Sequence, residues 1–466
     1  MSHPKLTRRG LMLGLGAGAA LAPGFAGLTA QAADVSGYRA LVCVFLFGGL
    51  DNHDLVIPFD EPNHSRYVDL RRALAPDASR SRSALLELSI RNADRFGARQ
   101  FALPPETPNL HRLFNDGEAA IVSSVGPLIQ PIRDREQAEA GGVPLPPRLF
   151  SHNDQQSIWQ ANAPEGASYG WGGLFGDAVV LSGANPDARP FTTMSTAGDN
   201  LFLTGRETAA FAVGPSGPSE IELLLEAERR AGDNAELDRA YRQLRDHFGA
   251  ARYDGEHLIA RDIAAIHGAS LDNNTAFREA LTSPPSLGVD FPTGQLGGQL
   301  RIIAETIGVR AQLGVGRQVF FAGMGGFDTH SSQLEALPQL LGELDAGVAA
   351  FNQAMRNLGV NQDVTLFTGS DFGRTFAVNG DGTDHGWAGH HFVVGGGVNG
   401  GRILGGDIDP PGLDHARDVG SGRLIPQVSV EQYAAALGEW FGLNSSELAS
   451  ALPNLSNFDA PPALFG

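Results

Sequence analysis

The sequence RALVCVFLF at residues 39–47 decides the fold, and GGLDNHD follows it at once at residues 48–54. A continuous apolar run of this length is typical of a strand that is covered on both faces. Gly48 and Gly49 let the backbone turn tightly, which leaves Asp51 at the end of the strand. The stretch therefore predicts a buried strand with a carboxylate at the edge of its sheet.

Further short apolar runs alternate with amphipathic segments along the chain. Such repetition of strand, helix and strand predicts an α/β protein with a mostly parallel central sheet. Ser429 and Gln432 have the spacing of a capping box that opens a last helix. The strands are predicted at 119–125, 318–322, 364–368 and 392–394, and the helices at 296–313, 333–358 and 430–441, with a helical insertion around 218–267.

The N-terminus has the features of an export signal. Arg8 and Arg9 form a twin-arginine pair, an apolar stretch rich in Gly and Ala follows, and TAQA at residues 29–32 resembles a cleavage site. A transmembrane anchor is the competing interpretation, but Pro23 interrupts the stretch, which is marginal in length for a bilayer. We expect a twin-arginine signal at residues 1–32, a single domain at 33–466, and a periplasmic or secreted protein with no membrane span after cleavage.

Composition excludes several classes of partner. The formal net charge is −18, and removal of the three basic residues at 1–32 leaves 31 basic and 52 acidic residues, or −21. So acidic a chain does not offer the basic surface that nucleic acids or anionic membranes require. The single cysteine, Cys43, cannot form an internal disulfide, and its apolar surroundings favour a buried hydrophobic role.

Three polar motifs follow or adjoin apolar runs in the C-terminal part of the chain. They are GFDTH at 326–330, SDFGRT at 370–375 and DHGWAGHH at 384–391. Side chains at the carboxyl ends of several strands of an open α/β sheet converge on one crevice. Carboxylates and imidazoles are also ligands of divalent cations. The motifs therefore predict one shared site, with a metal as its expected occupant.

Each candidate residue has a simpler alternative role. Asp51 is either a metal ligand or an aspartate that bonds the backbone of its own turn. Asp328 and His330 either grip a metal from one face of an extended segment or lie on the surface beside a helix start. His385 is a ligand or an acid/base group, whereas the neighbouring His390 and His391 also suit the start of a strand.

Two further segments supply candidate catalytic residues. Arg374 either holds a tetrahedral anion with its planar guanidinium or pairs with Asp371 and fixes the loop. Ser151 and His152 are a candidate nucleophile and base. Ser151 is equally suited to be the N-cap of a helix over residues 153–161, with His152 lining the pocket.

Taken together, GGLDNHDLVIP, GFDTH, SDFGRT and DHGWAGHHFVVGGGV behind a twin-arginine signal resemble the bacterial family DUF1501, which is placed in the alkaline phosphatase and sulfatase superfamily. The resemblance covers nearly the whole chain after residue 32. It implies an alkaline-phosphatase-like three-layer α/β/α sandwich, in which helices cover both faces of a central mixed sheet. It also implies a two-metal site with zinc or calcium, and a Ser, Thr or modified Cys nucleophile that attacks phosphate or sulfate. The metal ligands that it implies are Asp51, Asp328, His330, Asp371 and His385.

Two departures from the superfamily pattern bear on this expectation. Phe372 stands where hydrolytic relatives have a histidine, and the spacing between Asp328 and His330 is shorter than usual, so a single ion or none is an alternative to a metal pair. The sequence predicts an exported metal-dependent hydrolase of phosphate or sulfate esters, or a related transferase. The substrate would be a small or polymer-borne anionic ester. The alternative is a non-catalytic binding or assembly protein on a degenerate scaffold.

Overall fold

The predicted first strand is present and lies inside the main sheet. Strand β1 (Arg39–Leu46) is buried along almost its whole length. It pairs in parallel with β8 (Arg317–Met324) on one side and β9 (Val364–Ser370) on the other, so that Val42 is opposite Phe320 and Leu366. A strand with two paired neighbours and two covered faces has no polar position, which explains the unbroken apolar run.

The structure, a computed structural model, describes residues 32–218, 230–231, 234–249 and 257–466. The predicted export signal lies outside these residues, apart from Ala32. The remaining strands are β2 (Ile57–Pro58), β3 (Leu86–Glu87), β4 (Phe101–Leu103), β5 (Ala119–Gly126), β6 (Thr193–Ser195), β7 (Phe211–Ala212), β10 (Arg374–Asn379), β11 (Gly382–His385), β12 (Gly389–Val394), β13 (Ile403–Gly405) and β14 (Val428–Ser429).

Helices cover both faces of the sheet. They are α1 (Asn63–Leu70), α2 (Asp77–Arg80), α3 (Pro108–Asp116), α4 (Arg135–Glu139), α5 (His152–Ala161), α6 (Trp171–Leu181), α7 (Ala235–Gly249), α8 (Leu258–Ala280), α9 (Gln295–Gly308), α10 (Arg310–Leu313), α11 (Gln333–Asn357), α12 (Val430–Phe441) and α13 (Ser445–Ala451).

The main sheet is mostly parallel, as predicted. Its strand order is β13-β5-β12-β9-β1-β8-β6-β7, and β14 also pairs with β5. The exception is β12, which is antiparallel to both of its neighbours, β5 and β9. The sequence predicted a strand at 392–394 but had no means of giving its direction.

Alternate residues of β1 separate two hydrophobic clusters. Val42 and Val44 pack with residues of α9 and α11, whereas Leu41 and Phe45 pack with residues of α6 and α12 on the other face. This alternation follows from the two-residue period of a strand. The chain is therefore a mixed α/β protein with a helical layer on each side of the sheet.

The predicted helices are present with small differences at their ends. The segment predicted at 296–313 is divided into α9 and α10, and α11 ends one residue before the predicted 358. The capping box of Ser429 and Gln432 opens α12, and Gly442 ends it in the left-handed conformation. Part of the insertion predicted around 218–267 lies outside the described residues, and its described part contributes α7 and the start of α8.

In the described ranges, no helix combines the length and the apolar character that a membrane span needs.

Candidate metal centre

Six of the predicted site residues lie together near the carboxyl ends of β8 and β9. Asp328 and His330 follow β8, Asp371 follows β9, and His385 ends β11. Helix α5 adds His152 as its first residue, and β10 begins with Arg374. Six of the eight predicted site residues therefore meet at one edge of the sheet, as expected for an open α/β sheet.

Three of these side chains form a small triangle of potential ligand atoms. Asp328 Oδ1 lies 3.0 Å from His330 Nε2 and 3.1 Å from His385 Nε2. The two Nε2 atoms are 2.9 Å apart. Tetrahedral ligand atoms bound about 2.0–2.2 Å from one zinc ion are roughly 3.3–3.6 Å from each other, so the triangle is slightly smaller than a zinc site and would admit the ion after a small outward movement of its side chains.

Hydrogen bonds orient all three imidazoles of the site in the same sense. His385 Nδ1 donates to the carbonyl oxygen of Phe150 at 2.7 Å, and a carbonyl oxygen only accepts. His152 Nδ1 is 2.6 Å from Asp371 Oδ2, and His330 Nδ1 is 3.1 Å from Asp384 Oδ1. When such a ring is neutral, its Nδ1 carries the proton, and its Nε2 then has a lone pair available on the side of Asp328.

This arrangement fits a cation. Two Nε2 lone pairs and a carboxylate oxygen within about 3 Å repel one another unless a positive charge lies among them. His152 is part of the same group, since one ligand atom from each of His152, Asp328 and His385 lies within 4.8 Å of the other two. A metal-binding histidine usually donates the N–H of its other ring nitrogen to a carboxylate or a carbonyl oxygen, and each of these imidazoles has such an acceptor beside its Nδ1.

The protonation equilibria of two of the triangle's side chains also favour metal binding. Burial raises the pKa of Asp328, but the hydrogen bond and charge of Arg374 and the nearby histidines outweigh burial and lower it overall. Burial, with the charge of Arg374, lowers the pKa of His385 below its ordinary value. An ionised carboxylate and a neutral imidazole are the forms that bind a metal ion.

His152 and Asp371 form a dyad beside the triangle. Asp371 is fully buried, and its Oδ2 accepts from His152 Nδ1 and, at 2.9 Å, from Gln156 Nε2 one turn further along α5. The hydrogen bond with Asp371 raises the pKa of His152, against the opposing effect of burial. His152 Nε2 lies 3.4 Å from Asp328 Oδ2, so the basic nitrogen faces the centre of the site.

Four of the five N–H donors of Arg374 are already engaged, which argues against the predicted role in binding an anion. Arg374 is 1% exposed, and it donates to Asp328 Oδ1 at 2.8 Å, to the Gly48 carbonyl at 3.0 Å, and to the hydroxyl and carbonyl oxygens of Thr383. It does not pair with Asp371 either. Its role in the structure is to hold the Asp328 carboxylate in place.

Phe372 closes one side of the site. Its ring stacks on His385 with centroids 4.4 Å apart and lies 4.9 Å from the ring of His152. The backbone at Gly49, with φ of +94°, passes so close that a β-carbon there would lie 2.6 Å from the Phe372 ring. The predicted glycine turn after β1 thus leaves room for the Phe372 ring. This is the position at which hydrolytic relatives are expected to have a histidine ligand.

Asp51 departs from the prediction of a metal ligand. Its carboxylate is 1% exposed and is bonded by both terminal nitrogens of Arg71, at 2.5 and 3.2 Å. Gln333 Nε2 and the backbone N–H of His53 donate to it as well. The guanidinium of Arg71 therefore neutralises this carboxylate, and Asp51 is not part of the ligand triangle.

Ser151 departs from the prediction of a nucleophile. It occupies the N-cap position of α5, and its hydroxyl donates to Asp154 Oδ2 at 3.0 Å. The hydroxyl makes no bond with His152, its predicted base, whose Nδ1 is bound to Asp371. The N-cap alternative gives its position correctly, although its side chain caps no backbone N–H.

Several contributors to the site carry no recognisable sequence signal. Arg71 directly follows α1, a helix that was not predicted from the sequence, and Phe150 contributes a backbone carbonyl. Gln156 is one amide among several near the start of α5. Asp384 belongs to a motif that was singled out, yet its position as the partner of His330 depends on the turn between β10 and β11.

The chain belongs to the family described as "Protein of unknown function (DUF1501)", whose model matches residues 38–449. This confirms the family resemblance of the sequence. A search of curated proteins finds no match.

Solved structures with some likeness to the chain are distant. The crystal structure of Ps i-CgsB has 10% identity and a TM-score of 0.36, with 91% of this chain and 77% of that chain covered. The C-terminal periplasmic domain of EcEptC from Escherichia coli has 10% identity and a TM-score of 0.33, covering 92% and 89%. The lipoteichoic acid synthase LtaP from Listeria monocytogenes has 10% identity and a TM-score of 0.30, covering 87% and 72%.

Proposed function

We propose that this protein is an exported metal-dependent hydrolase of phosphate or sulfate esters that works with a single divalent ion. The observation that carries the proposal is the triangle of Asp328 Oδ1, His330 Nε2 and His385 Nε2, with sides of 2.9–3.1 Å. Three protein ligands with an open fourth position are typical of catalytic zinc sites. The anionic ester as substrate comes from the resemblance to the alkaline phosphatase and sulfatase superfamily.

The donor set favours zinc over calcium. Two imidazole nitrogens and one carboxylate oxygen suit zinc, whereas calcium prefers six to eight oxygen ligands. Asp51 and Asp371, the other two predicted ligands, are bound to Arg71 and His152 respectively. We therefore propose that the site holds one ion and not two. The ion would act as a Lewis acid that polarises the ester and lowers the pKa of a bound water.

The dyad of His152 and Asp371 is the proposed general base. His152 Nε2 takes a proton from the attacking water, and Asp371 stabilises the imidazolium that results. The water oxygen bonds to phosphorus or sulfur, and the ester oxygen leaves as an alcohol with a proton returned from His152. This role replaces the predicted pair of Ser151 and His152.

Arg374 and Phe372 have positioning roles in this proposal. Arg374 keeps the Asp328 carboxylate ionised and aimed at the ion, because it donates to Asp328 Oδ1 and is itself held in place by Thr383. Phe372 packs against the rings of His152 and His385 and excludes water from that side. The negative charge of the substrate would then be met mainly by the ion and by protonated His152.

A second candidate function rests on His152 as a fourth ligand. Its Nε2 lies 3.4 Å from Asp328 Oδ2, and His152, Asp328 and His385 form a group of suitable size for one ion. A site closed by four protein ligands is typical of structural zinc. The protein would then be a non-catalytic binding or assembly protein whose metal holds the sheet edge together.

One experiment separates the two functions. The chain from residue 33 onward is purified with zinc, its metal content is measured, and aryl phosphates and aryl sulfates are screened as substrates. For the hydrolase we expect His152→Ala to keep its zinc and lose turnover, whereas for the closed site the same change weakens zinc binding. His267→Ala, at an exposed histidine of α8, is the matched control. Absence of both zinc and turnover in the unchanged protein would refute the hydrolase.

Export by the twin-arginine pathway remains part of the proposal and rests on Arg8 and Arg9. Fusion of residues 1–32 to a reporter that is active only outside the cytoplasm tests it. Replacement of both arginines by lysine should abolish the reporter signal, and an unchanged signal would contradict export by this route.

A further inference from the structure

The short segment before β1 is held against the body of the protein. The backbone N–H of Asp34 donates to the Gly442 carbonyl at 2.8 Å. Arg317 Nη2 donates to the carbonyl oxygens of Asp34 and Ser36 at 2.7 and 2.9 Å. Ala33 is 6% exposed and belongs to the hydrophobic cluster that includes residues of α6 and α12. The chain is therefore fixed in place from Ala33 onward.

The backbone nitrogen of Ala33 lies between two side-chain acceptors. It is 3.1 Å from Glu447 Oε1 and 3.1 Å from Ser182 Oγ, and the Ser182 hydroxyl itself donates to Glu447 Oε1 at 3.2 Å. A peptide N–H has a single hydrogen, which these two oxygens have to share. A terminal ammonium group has three hydrogens and a positive charge, as the ammonium of a lysine has, so it would satisfy both acceptors.

Glu447 has no cationic side chain as a partner among the residues that the structure describes. Its Oε2 accepts from the backbone N–H of Asn444 at 2.9 Å and completes the capping box of α13. Its Oε1 has Ala33 and Ser182 as partners. The residue is half-buried, and a carboxylate that is partly removed from water is costly without a countercharge. Capping explains the position of Oε2 and leaves Oε1 facing the Ala33 nitrogen.

The predicted cleavage creates a positive charge at this same nitrogen. Ala30 and Ala32 have the small-x-small spacing that precedes a signal cleavage site, so the predicted cut falls between Ala32 and Ala33. Hydrolysis of this peptide bond consumes one water molecule, Ala32 leaves with a carboxylate, and Ala33 keeps an amine that takes up a proton. The change from exposed Ala32 to buried Ala33 falls at the same bond.

We propose that Glu447 and Ser182 form a binding site for the α-ammonium group of Ala33 once the export signal has been removed. A charge-assisted hydrogen bond would then join the start of the chain to the first turn of α13 and to the end of α6. Removal of the signal thereby stabilises the folded protein. This inference rests on the export signal of the proposed function and not on its metal or its hydrolytic chemistry.

The pH dependence of acylation at the N-terminus tests this site. A chain that begins at Ala33 is released from a fusion by a protease that cuts directly before this residue, so that no export is needed. Mass spectrometry then follows the reaction of its α-amino group with acetic anhydride. We expect the pKa of this group to lie at least about one unit above the ordinary value of about 7.7–8.0.

Two variants assign the shift in pKa to one carboxylate. Glu447→Gln should return the pKa of the α-amino group to its ordinary range, so that acylation at pH 7 becomes about tenfold faster than in the unchanged protein. Glu439→Gln removes a carboxylate from an exposed position of α12 and should leave the pKa raised. The pKa of the unchanged protein needs no variant, so it decides the question even if Glu447→Gln folds poorly.

Thermal unfolding of four proteins gives a second test. Chains that begin at Ala33 and at Thr29 are each prepared with and without Glu447→Gln, and the longer chain has a peptide N–H in place of the ammonium. At pH 7 we expect Glu447→Gln to lower the melting temperature by at least about 1 °C more in the chain from Ala33. Because the folded state raises the pKa of the amine, this extra stability is complete below about pH 7.7 and is lost by about pH 10.

Three results would overturn the proposal. They are an ordinary pKa for the α-amino group of the unchanged protein, equal effects of Glu447→Gln in the two chains, and an exported protein whose first residue by mass spectrometry is not Ala33. A protein without zinc or turnover would leave all three readouts unchanged. Failure of the proposed hydrolase is therefore distinguishable from failure of this site.

Discussion

Asp51 and Asp328 follow neighbouring parallel strands, and both were predicted to bind a metal, yet the structure gives them opposite surroundings. Asp51 follows β1 and is buried against the guanidinium of Arg71. Asp328 follows β8, its side chain is 42% exposed, and imidazole nitrogens surround it. Position at the end of a strand places a carboxylate at this edge of the sheet, whereas its nearest cationic or imidazole partner decides its role.

The pKa values alone do not separate the two aspartates. For Asp51, burial raises the pKa and the charge of Arg71 more than offsets this, so the overall pKa is lowered. For Asp328, burial is likewise outweighed, by Arg374 and the histidines. Both carboxylates are ionised at neutral pH, and only the geometry of their partners distinguishes a structural ion pair from a candidate ligand.

The largest expected effect is the loss of the metal site in Asp328→Ala. Asp328 provides the one oxygen of the ligand triangle and contacts both of its imidazoles. Titration of the metal-free protein with zinc should show one site in the unchanged protein and none in the variant. Asp384→Ala removes a carboxylate that only orients His330, and it should retain a weaker site. Equal zinc binding by Asp328→Ala and the unchanged protein would erase the distinction between the two aspartates.

The next largest effect is on stability, in Arg71→Met. This change leaves Asp51 as a buried carboxylate without its cation, which costs about 3–5 kcal/mol in the free energy of unfolding. The neighbouring Arg72 pairs with Asp69 on the surface, with side chains 80% and 67% exposed. Arg72→Met should therefore change the stability by less than about 1 kcal/mol. Denaturant unfolding measures both, and a similar small change in each would mean that the pair of Arg71 and Asp51 is not what neutralises this region.

A smaller effect is expected for Asp371→Asn. The amide can no longer stabilise protonated His152, although Gln156 and the fold around β9 keep the side chain in place. Turnover should fall by about 10–100-fold while zinc affinity stays nearly constant. Steady-state kinetics together with zinc titration give this comparison. A parallel loss of zinc affinity would instead place Asp371 or His152 among the ligands.

The smallest effect concerns a third carboxylate, Glu431, which has neither an arginine nor an imidazole partner in the part of the chain that the structure describes. Burial raises its pKa from 4.5 to about 7. The folded state then holds the proton more tightly than the unfolded state, so this stabilising contribution is complete below pH 4.5 and is lost as the pH rises to about 7. Glu431→Gln should raise the stability by about 1–3 kcal/mol at pH 8 and change it little at pH 4. Thermal unfolding at the two pH values checks this, and a pH-independent difference would contradict it.

Much of the fold is predictable from the chain because the buried strands carry continuous apolar runs. The run at residues 39–47 predicts β1, and similar runs predict β5, β8 and β9. The antiparallel direction of β12 was not predictable, since direction depends on the connections of the chain and leaves no mark in the pattern. The helical caps at Ser429 and Gly442 were predictable because capping is a local interaction.

The site was predictable where polar motifs end strands and unpredictable where partners come from elsewhere. Asp328, His330 and His385 were recognised because they are conspicuous beside apolar runs. Arg71 was missed because nothing near residue 71 indicates that its side chain reaches Asp51, which lies twenty residues earlier. The role of Arg374 was not predictable for the same reason, because only the fold shows that Thr383 and Gly48 accept hydrogen bonds from its guanidinium.

We propose that Asp328, and not Asp51, binds a metal ion together with His330 and His385. The most direct measurement is an anomalous difference map from crystals of the protein grown with zinc. We predict one peak about 2.0–2.2 Å from Asp328 Oδ1, His330 Nε2 and His385 Nε2, with the bonds between Asp51 and Arg71 intact. A peak bound to Asp51, or no peak at Asp328 at saturating zinc, would show that Asp328 is not a ligand of this site.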